Sequence, residues 1–219
     1  MDALVFDFDG LILDTETPLY EAWRHTYEHF GLPPLDFEAW SNALGLAEHD
    51  PNMINPATEV AKHLGDSFDL ETVNAVRRAR RNEMQAKETI RPGVVRLLDE
   101  AAQLGIPTAI ASSSPIDWIG PHLDTHDLSH RFQFISSVDD NTPGKPHPAT
   151  YLNACRALGA NPLKSVALED SPNGASAAKA AGLFCIGVPA GVSAHLDFSH
   201  ADMTVSTLEH VDLASLIRP

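Results

Sequence analysis

Ala3-Leu4-Val5-Phe6-Asp7-Phe8-Asp9-Gly10 is the stretch from which the fold is read. Four apolar residues, bounded at once by acids and a glycine, predict a short strand buried on both faces, as in a parallel sheet. Asp7 and Asp9 are two positions apart, so both leave the strand's carboxyl end on the same side. Like charges this close call for a cation beside them or a proton on one of them. Outward from there, apolar runs predict strands near 3–7, 106–111, 132–137, 165–169, 184–188 and 202–205. Between them, Gly93 to Leu104, Ala149 to Leu158 and Pro172 to Ala181 predict helices, each followed by a glycine. Ser171 is the expected N-cap of the last and Pro172 its first residue. Alternation of this kind specifies the α/β class: a parallel sheet with helices on both faces.

Residues 14 to about 88 break the alternation. Thr17-Pro18 opens a helix that Gly31 closes, Asn55-Pro56 opens one that Gly65 closes, and Asp69 caps a long polar one reaching about Glu88. The expectation is a small all-helical cap domain over 14–89, inserted after the first strand of a catalytic core made of 1–13 and 90–219. Hinges are expected near Leu13–Thr15 and Thr89–Pro92. Ligands of open α/β sheets bind beyond the strands' carboxyl ends, so the insertion would act as a lid that excludes water and selects substrate.

The chain has 219 residues, 43% hydrophobic and 21% charged, the balance of an ordinary globular protein. No apolar run reaches the roughly 20 residues that cross a bilayer, and the N-terminus lacks the basic region of a secretory signal. Cys155 and Cys185 read as buried free thiols of a reducing compartment, hence a cytoplasmic location. A formal net charge of −15 argues against nucleic acid as partner. It also repels small phosphorylated molecules, so a phosphate site here needs local positive charge from a metal and a lysine. His25/His29 and His122/His126 have i, i+4 spacing but lack the acid of a zinc-binding His-Glu-x-x-His. Trp23, Trp40, Tyr20 and Tyr27 read as the core of the helical insertion.

The motifs describe a magnesium-dependent site that moves a phosphoryl group. Asp7 is the expected nucleophile, forming an aspartyl-phosphate, and Asp9 the general acid and then base. Glu169-Asp170 ends another apolar run, Ser165-Val166-Ala167-Leu168. Asp170 would join Asp7 and the Asp9 carbonyl around Mg²⁺, with Glu169 orienting a metal-bound water. Ser112 and Ser113, after Ala109-Ile110-Ala111, and Lys145, between Gly144 and Pro146, would hold the phosphate.

Together these elements resemble the haloacid dehalogenase superfamily, in the branch of β-phosphoglucomutases and phosphoglycolate-type phosphatases. Asp7-Phe8-Asp9-Gly10-Leu11-Ile12-Leu13-Asp14-Thr15-Glu16 matches the family's opening, Ser112 its second motif, and Gly144-Lys145-Pro146 its third. Leu168-Glu169-Asp170-Ser171-Pro172-Asn173-Gly174 matches the fourth. The resemblance implies a Rossmann-like core, a helical cap, Mg²⁺ and an aspartyl-phosphate. Members that cleave carbon–halogen bonds lack the second aspartate, which is present here as Asp9. The β-phosphoglucomutases carry an arginine in the first cap loop and a histidine on the first cap helix. This chain has Glu48 and Leu19 there, which disfavours a bisphosphorylated intermediate.

Arg77-Arg78-Ala79-Arg80-Arg81 reads as a solvated helix face, with cap charge the lesser reading. Carbon–phosphorus cleavage through a Schiff base would need a buried cap lysine, and Lys62 and Lys87 lie in polar surroundings. The function expected is hydrolysis of a small phosphomonoester such as a sugar or polyol phosphate. A sugar phosphomutase and a non-catalytic binding module are the alternatives.

Overall fold

The computed structural model describes residues 1–46, 50–85, 87–139 and 142–217. Its centre is a six-stranded sheet of β1 (Leu4–Phe6), β2 (Thr108–Ala111), β3 (Phe134–Ser136), β4 (Val166–Glu169), β5 (Phe184–Gly187) and β6 (Met203–Thr204). The order is β3-β2-β1-β4-β5-β6, with every neighbouring pair parallel. All six expected strands are present, each shorter than its apolar run. Leu4 faces Thr108 on one side and Val166 on the other, and Phe6 faces Ile110 and Leu168. The strand order therefore reverses at β1, which puts the crevice of an open α/β sheet beyond Phe6.

Nine α-helices are described: α1 (Glu16–Phe30), α2 (Phe37–Asn42), α3 (Pro56–Leu64), α4 (Leu70–Gln85), α5 (Val94–Gln103), α6 (Ile116–Thr125), α7 (Ala149–Leu158), α8 (Pro172–Ala181) and α9 (Leu213–Leu216). Alternate strand residues face opposite layers. Leu4, Phe6, Ile110, Leu168 and Ile186 pack with Val94, Leu97 and Leu98 of α5 and Ile119 and Leu123 of α6. Ala3, Val5, Ala109, Ala111, Ala167 and Cys185 turn the other way, onto Tyr151 and Ala154 of α7 and the alanines of α8. The small residues on this second face let α8 lie close to the sheet. A Cβ on Gly174 would sit 1.9 Å from Glu169 Oε1. Ser171 caps α8 by accepting from Gly174 N, and Gly182 ends it in the left-handed region. Cys155 and Cys185 are buried and free.

The helices α1 to α4 pack around a third cluster, Trp23, Tyr27, Leu35, Trp40, Val60 and Val73. Gly31, at φ +74°, ends α1; Asn55 accepts from Thr58 N to cap α3, and Asp69 accepts from Thr72 N at the start of α4. The first helix begins at Glu16, one residue before the Thr17-Pro18 pair expected to open it. Three helices had been given no bounds: α2, α6 and the four-residue α9. Six-residue α2, capped by Asp36, is too short to display a period, and α6 carries Pro121 inside it. The segment's two ends meet beside β1: Leu13 bridges Ile90 antiparallel, and Arg91 N donates to Ile12 O at 2.9 Å. Among the described residues, no helix is long and apolar enough to cross a membrane.

Candidate active site

Just past β1, Asp7 N is tied to Leu168 O at 2.9 Å, which holds the carboxylate of Asp7 over the crevice. Gly10 then turns the chain at φ +76°. A Cβ at Gly10 would lie 1.9 Å from Asp170 Oδ2, so only glycine leaves that carboxylate its place. The Arg91 guanidinium donates to the Gly10 carbonyl and pins the turn.

Lys145 is 1% exposed and bridges two carboxylates, with Nζ 2.5 Å from Asp7 Oδ1 and 2.6 Å from Glu169 Oε1. Glu169 is fully buried, and its other bonds come from Tyr151 OH at 2.6 Å and from Ser171 N and Oγ, each at 3.2 Å. This explains how a lysine and a glutamate can be dry: each is paired and hydrogen-bonded. Burial alone would pull the Lys145 ammonium down, but Asp7 and Glu169 together hold it above its usual range. Burial, then Glu169, push the Asp7 carboxyl up to about 7 against the pull of Lys145. Asp170 is raised well above the carboxylate range by burial, Asp7 and Glu169.

Asp7, Glu169 and Asp170 can each offer an oxygen within 4.8 Å of the others, and all three are buried. One lysine opposes these three acids and the neighbouring Asp9. The donor set is all oxygen, its charge is in excess, and Gly10 keeps the space beside Asp170 open. These residues fit a hard divalent cation.

Asp9 hangs in a separate net. Its Oδ1 accepts from Thr15 Oγ1 at 2.7 Å and Trp118 Nε1 at 2.8 Å, and its Oδ2 from Ser114 Oγ at 2.6 Å, with Ser112 Oγ at 3.5 Å. Ser112 Oγ also accepts from Ser114 N at 3.0 Å. Ser113 Oγ donates to Gly45 O at 2.8 Å and accepts from Lys145 N at 3.0 Å, so its hydroxyl ties three loops together.

A cavity of about 430 Å³ opens over these groups, within the range of small-molecule sites. Asp7, Asp9, Ser112, Ser113, Lys145 and Asp170 all line it, together with Leu19, Trp23, Trp40, Arg77 and Arg81. Trp23 and Trp40 thus serve both the helical core, as expected, and the cavity wall. Glu16 lines it too; burial, then Asp9, Asp7 and Asp14, push its carboxyl up to about 8. Ala47-Glu48-His49, which carry the expectation against a mutase, lie outside the described residues.

Sequence reasoning had given no place at the site to Thr15, Ser114, Trp118 or Tyr151. Ser114 follows directly on Ser112-Ser113 and was within reach of the motif. Trp118 and Tyr151 reach the site across the fold from positions no spacing rule marks.

Residues 1–182 match the family model of the haloacid dehalogenase-like hydrolases. The chain is 37% identical over 215 residues to the protein YhcW of Bacillus subtilis (strain 168), covering 98% of this chain and 96% of that one. It is 30% identical over 207 residues to the validoxylamine A 7'-phosphate phosphatase of Streptomyces hygroscopicus subsp. limoneus, covering 94% of each. Among solved structures, a variant of CbbY from Rhodobacter sphaeroides in complex with xylulose-(1,5)bisphosphate superposes with a TM-score of 0.74. That pair is 28% identical over 99% of both chains.

Proposed function

The chain belongs to the haloacid dehalogenase-like hydrolase family and is a phosphatase, and from that premise we propose that it hydrolyses a small phosphomonoester, such as a sugar or polyol phosphate, through a phosphoryl group carried on Asp7. The observation that carries this is the buried array of Asp7, Lys145, Glu169 and Asp170 beneath the cavity that also receives Asp9.

In the first step an Asp7 carboxylate oxygen attacks phosphorus and the bond to the ester oxygen breaks. Asp9, entering with a proton, gives it to the departing oxygen. In the second step Asp9 takes a proton from water as the water oxygen attacks the same phosphorus. The Asp7–phosphorus bond breaks, phosphate leaves, and the Asp7 carboxylate is restored. The net around Asp9 fixes where its carboxyl stands, through Thr15, Ser114 and Trp118. Lys145, held by Glu169, offers its ammonium to the phosphate oxygens, beside the Ser112 hydroxyl and the Ser113 backbone. Asp7, the Asp9 carbonyl and Asp170 would hold a divalent cation, Mg²⁺ in this proposal. When bound, such an ion supplies positive charge that offsets the crowded oxygens. Residues 14–89 serve as a cap that shuts water out of the cavity, and the protein works on soluble metabolites of the cytoplasm.

The test is phosphate release by the purified chain from p-nitrophenyl phosphate and from a panel of sugar and polyol phosphates. Release should require MgCl2, stop in EDTA, and fall at least about 10³-fold in Asp7→Asn. Hydrolysis that persists in both EDTA and Asp7→Asn contradicts the proposal. Conversion of a sugar phosphate to its isomer on priming with a hexose bisphosphate, with no net phosphate released, would make the chain a mutase instead.

A further inference from the structure

The arginine run at 77–81 divides by helix face. Arg78 and Arg80 turn to the surface, where they pair with Glu71 and Glu83 of the same helix. Arg77 and Arg81, four residues apart and therefore on one face, line the cavity shared with Asp7, Asp9 and Asp170. The Arg81 guanidinium lies over the Trp118 ring at 5.6 Å, and that of Arg77 over the Trp23 ring at 4.9 Å. Arg81 forms no ion pair with any described residue, and its Nε is buried without a hydrogen-bond partner. The chain has 30 Asp and Glu against 15 Lys and Arg. With acids in such surplus, an arginine that faces a cavity and pairs with no described one of them calls for a partner from outside the chain. Its forked donors suit a phosphate or carboxylate, and the flat ring beneath holds the fork in place. The same Trp118 donates from its edge to Asp9 at 2.8 Å. One indole ring thus separates Arg81 from the group assigned to acid–base chemistry, a span that a short carbon chain bridges.

We propose that Arg81, on the face it shares with Arg77, anchors an oxyanion subsite that selects phosphomonoesters bearing a second phosphate or a carboxylate at the end remote from the reacting phosphate. The inference rests on the phosphatase reading above. It is tested by phosphate release from three probes: fructose 1,6-bisphosphate, 6-phosphogluconate and sorbitol 6-phosphate, whose remote ends carry a phosphate, a carboxylate and a neutral hydroxyl. The full chain should show kcat/KM about 30-fold higher for one or both anionic-ended probes, the range of a charge-assisted hydrogen bond. Which of the two benefits identifies the oxyanion.

In Arg81→Gln that preference should fall to near unity, and Arg81→Lys should keep part of it. Arg80→Gln, on the outer face, should keep all of it. A wild-type preference near unity overturns the subsite. So does an Arg81→Gln variant that retains the preference, or one that loses activity equally on all three probes. Those failures leave the phosphatase reading standing, provided p-nitrophenyl phosphate and sorbitol 6-phosphate are hydrolysed. No release from any substrate overturns both.

Discussion

Replacing Lys145 with methionine tests whether the ammonium is what makes the acidic site tolerable. The substitution keeps the stem's volume and removes the charge that lies 2.5 Å from Asp7 and 2.6 Å from Glu169. With Lys145 only 1% exposed, little water can take its place. Breaking a buried ion pair from one side costs about 3–5 kcal/mol. At about 2–4 °C per kcal/mol for a chain of this size, Tm should fall by about 6–20 °C.

The loss should depend on pH. In the folded wild type Asp7 sits at about 7, above its ordinary value of 3.8, for reasons led by burial. The folded state therefore keeps a proton that the unfolded state has released, and stability drains away as pH rises through that window. Without the lysine only the upward pushes remain, so the window extends to higher pH. Thermal unfolding in EDTA at pH 5.5 and pH 8, followed by circular dichroism, should show the smaller Tm gap at pH 5.5, where Asp7 of the variant carries a proton. A gap below about 3 °C at pH 8, or one of equal size at both pH values, would refute the reasoning.

Gly10→Ala should cost about 1–2 kcal/mol through its φ of +76° and, in addition, raise the divalent-ion concentration needed for half-maximal activity, because its Cβ invades the place of Asp170 Oδ2. Gly31→Ala, at φ +74° with nothing within 4 Å, should show only the backbone cost; equal metal requirements in the two variants would count against a cation beside Asp170. Trp118→Phe keeps a ring but removes the donor to Asp9 Oδ1, and should lower kcat about tenfold on p-nitrophenyl phosphate with KM little changed. Unaltered kcat would mean that the indole N–H does not position Asp9.

The sheet was legible because a buried parallel strand is a short apolar run with punctuation. The bounds of α7 and α8 coincide with those expected, set by Gly159 on one and by Ser171, Pro172 and Gly182 on the other. That Asp7, Asp9, Lys145, Glu169 and Asp170 gather at one place could be read because they stand at strand ends or in a pinned loop, where the fold dictates direction. Side chains that arrive sideways could not. Tyr151 looks like any core aromatic until Glu169 is seen beneath its hydroxyl, and Trp118 comes from a helix whose internal proline obscures its period. The split of the arginine run was within reach of 3.6-residue periodicity. That rule alone could not say which face of α4 overlooks the cavity.

The bridge between Leu13 and Ile90 has a further implication. Departure and return share one doorway, so whatever lies between can grow, shrink or be exchanged while the strand order stays as it is. Closing a longer excursion from a fixed doorway adds only about 0.6 kcal/mol per doubling of its length. Natural variation can therefore rewrite the furnishing of the chamber over Asp7 while the machinery below is left alone.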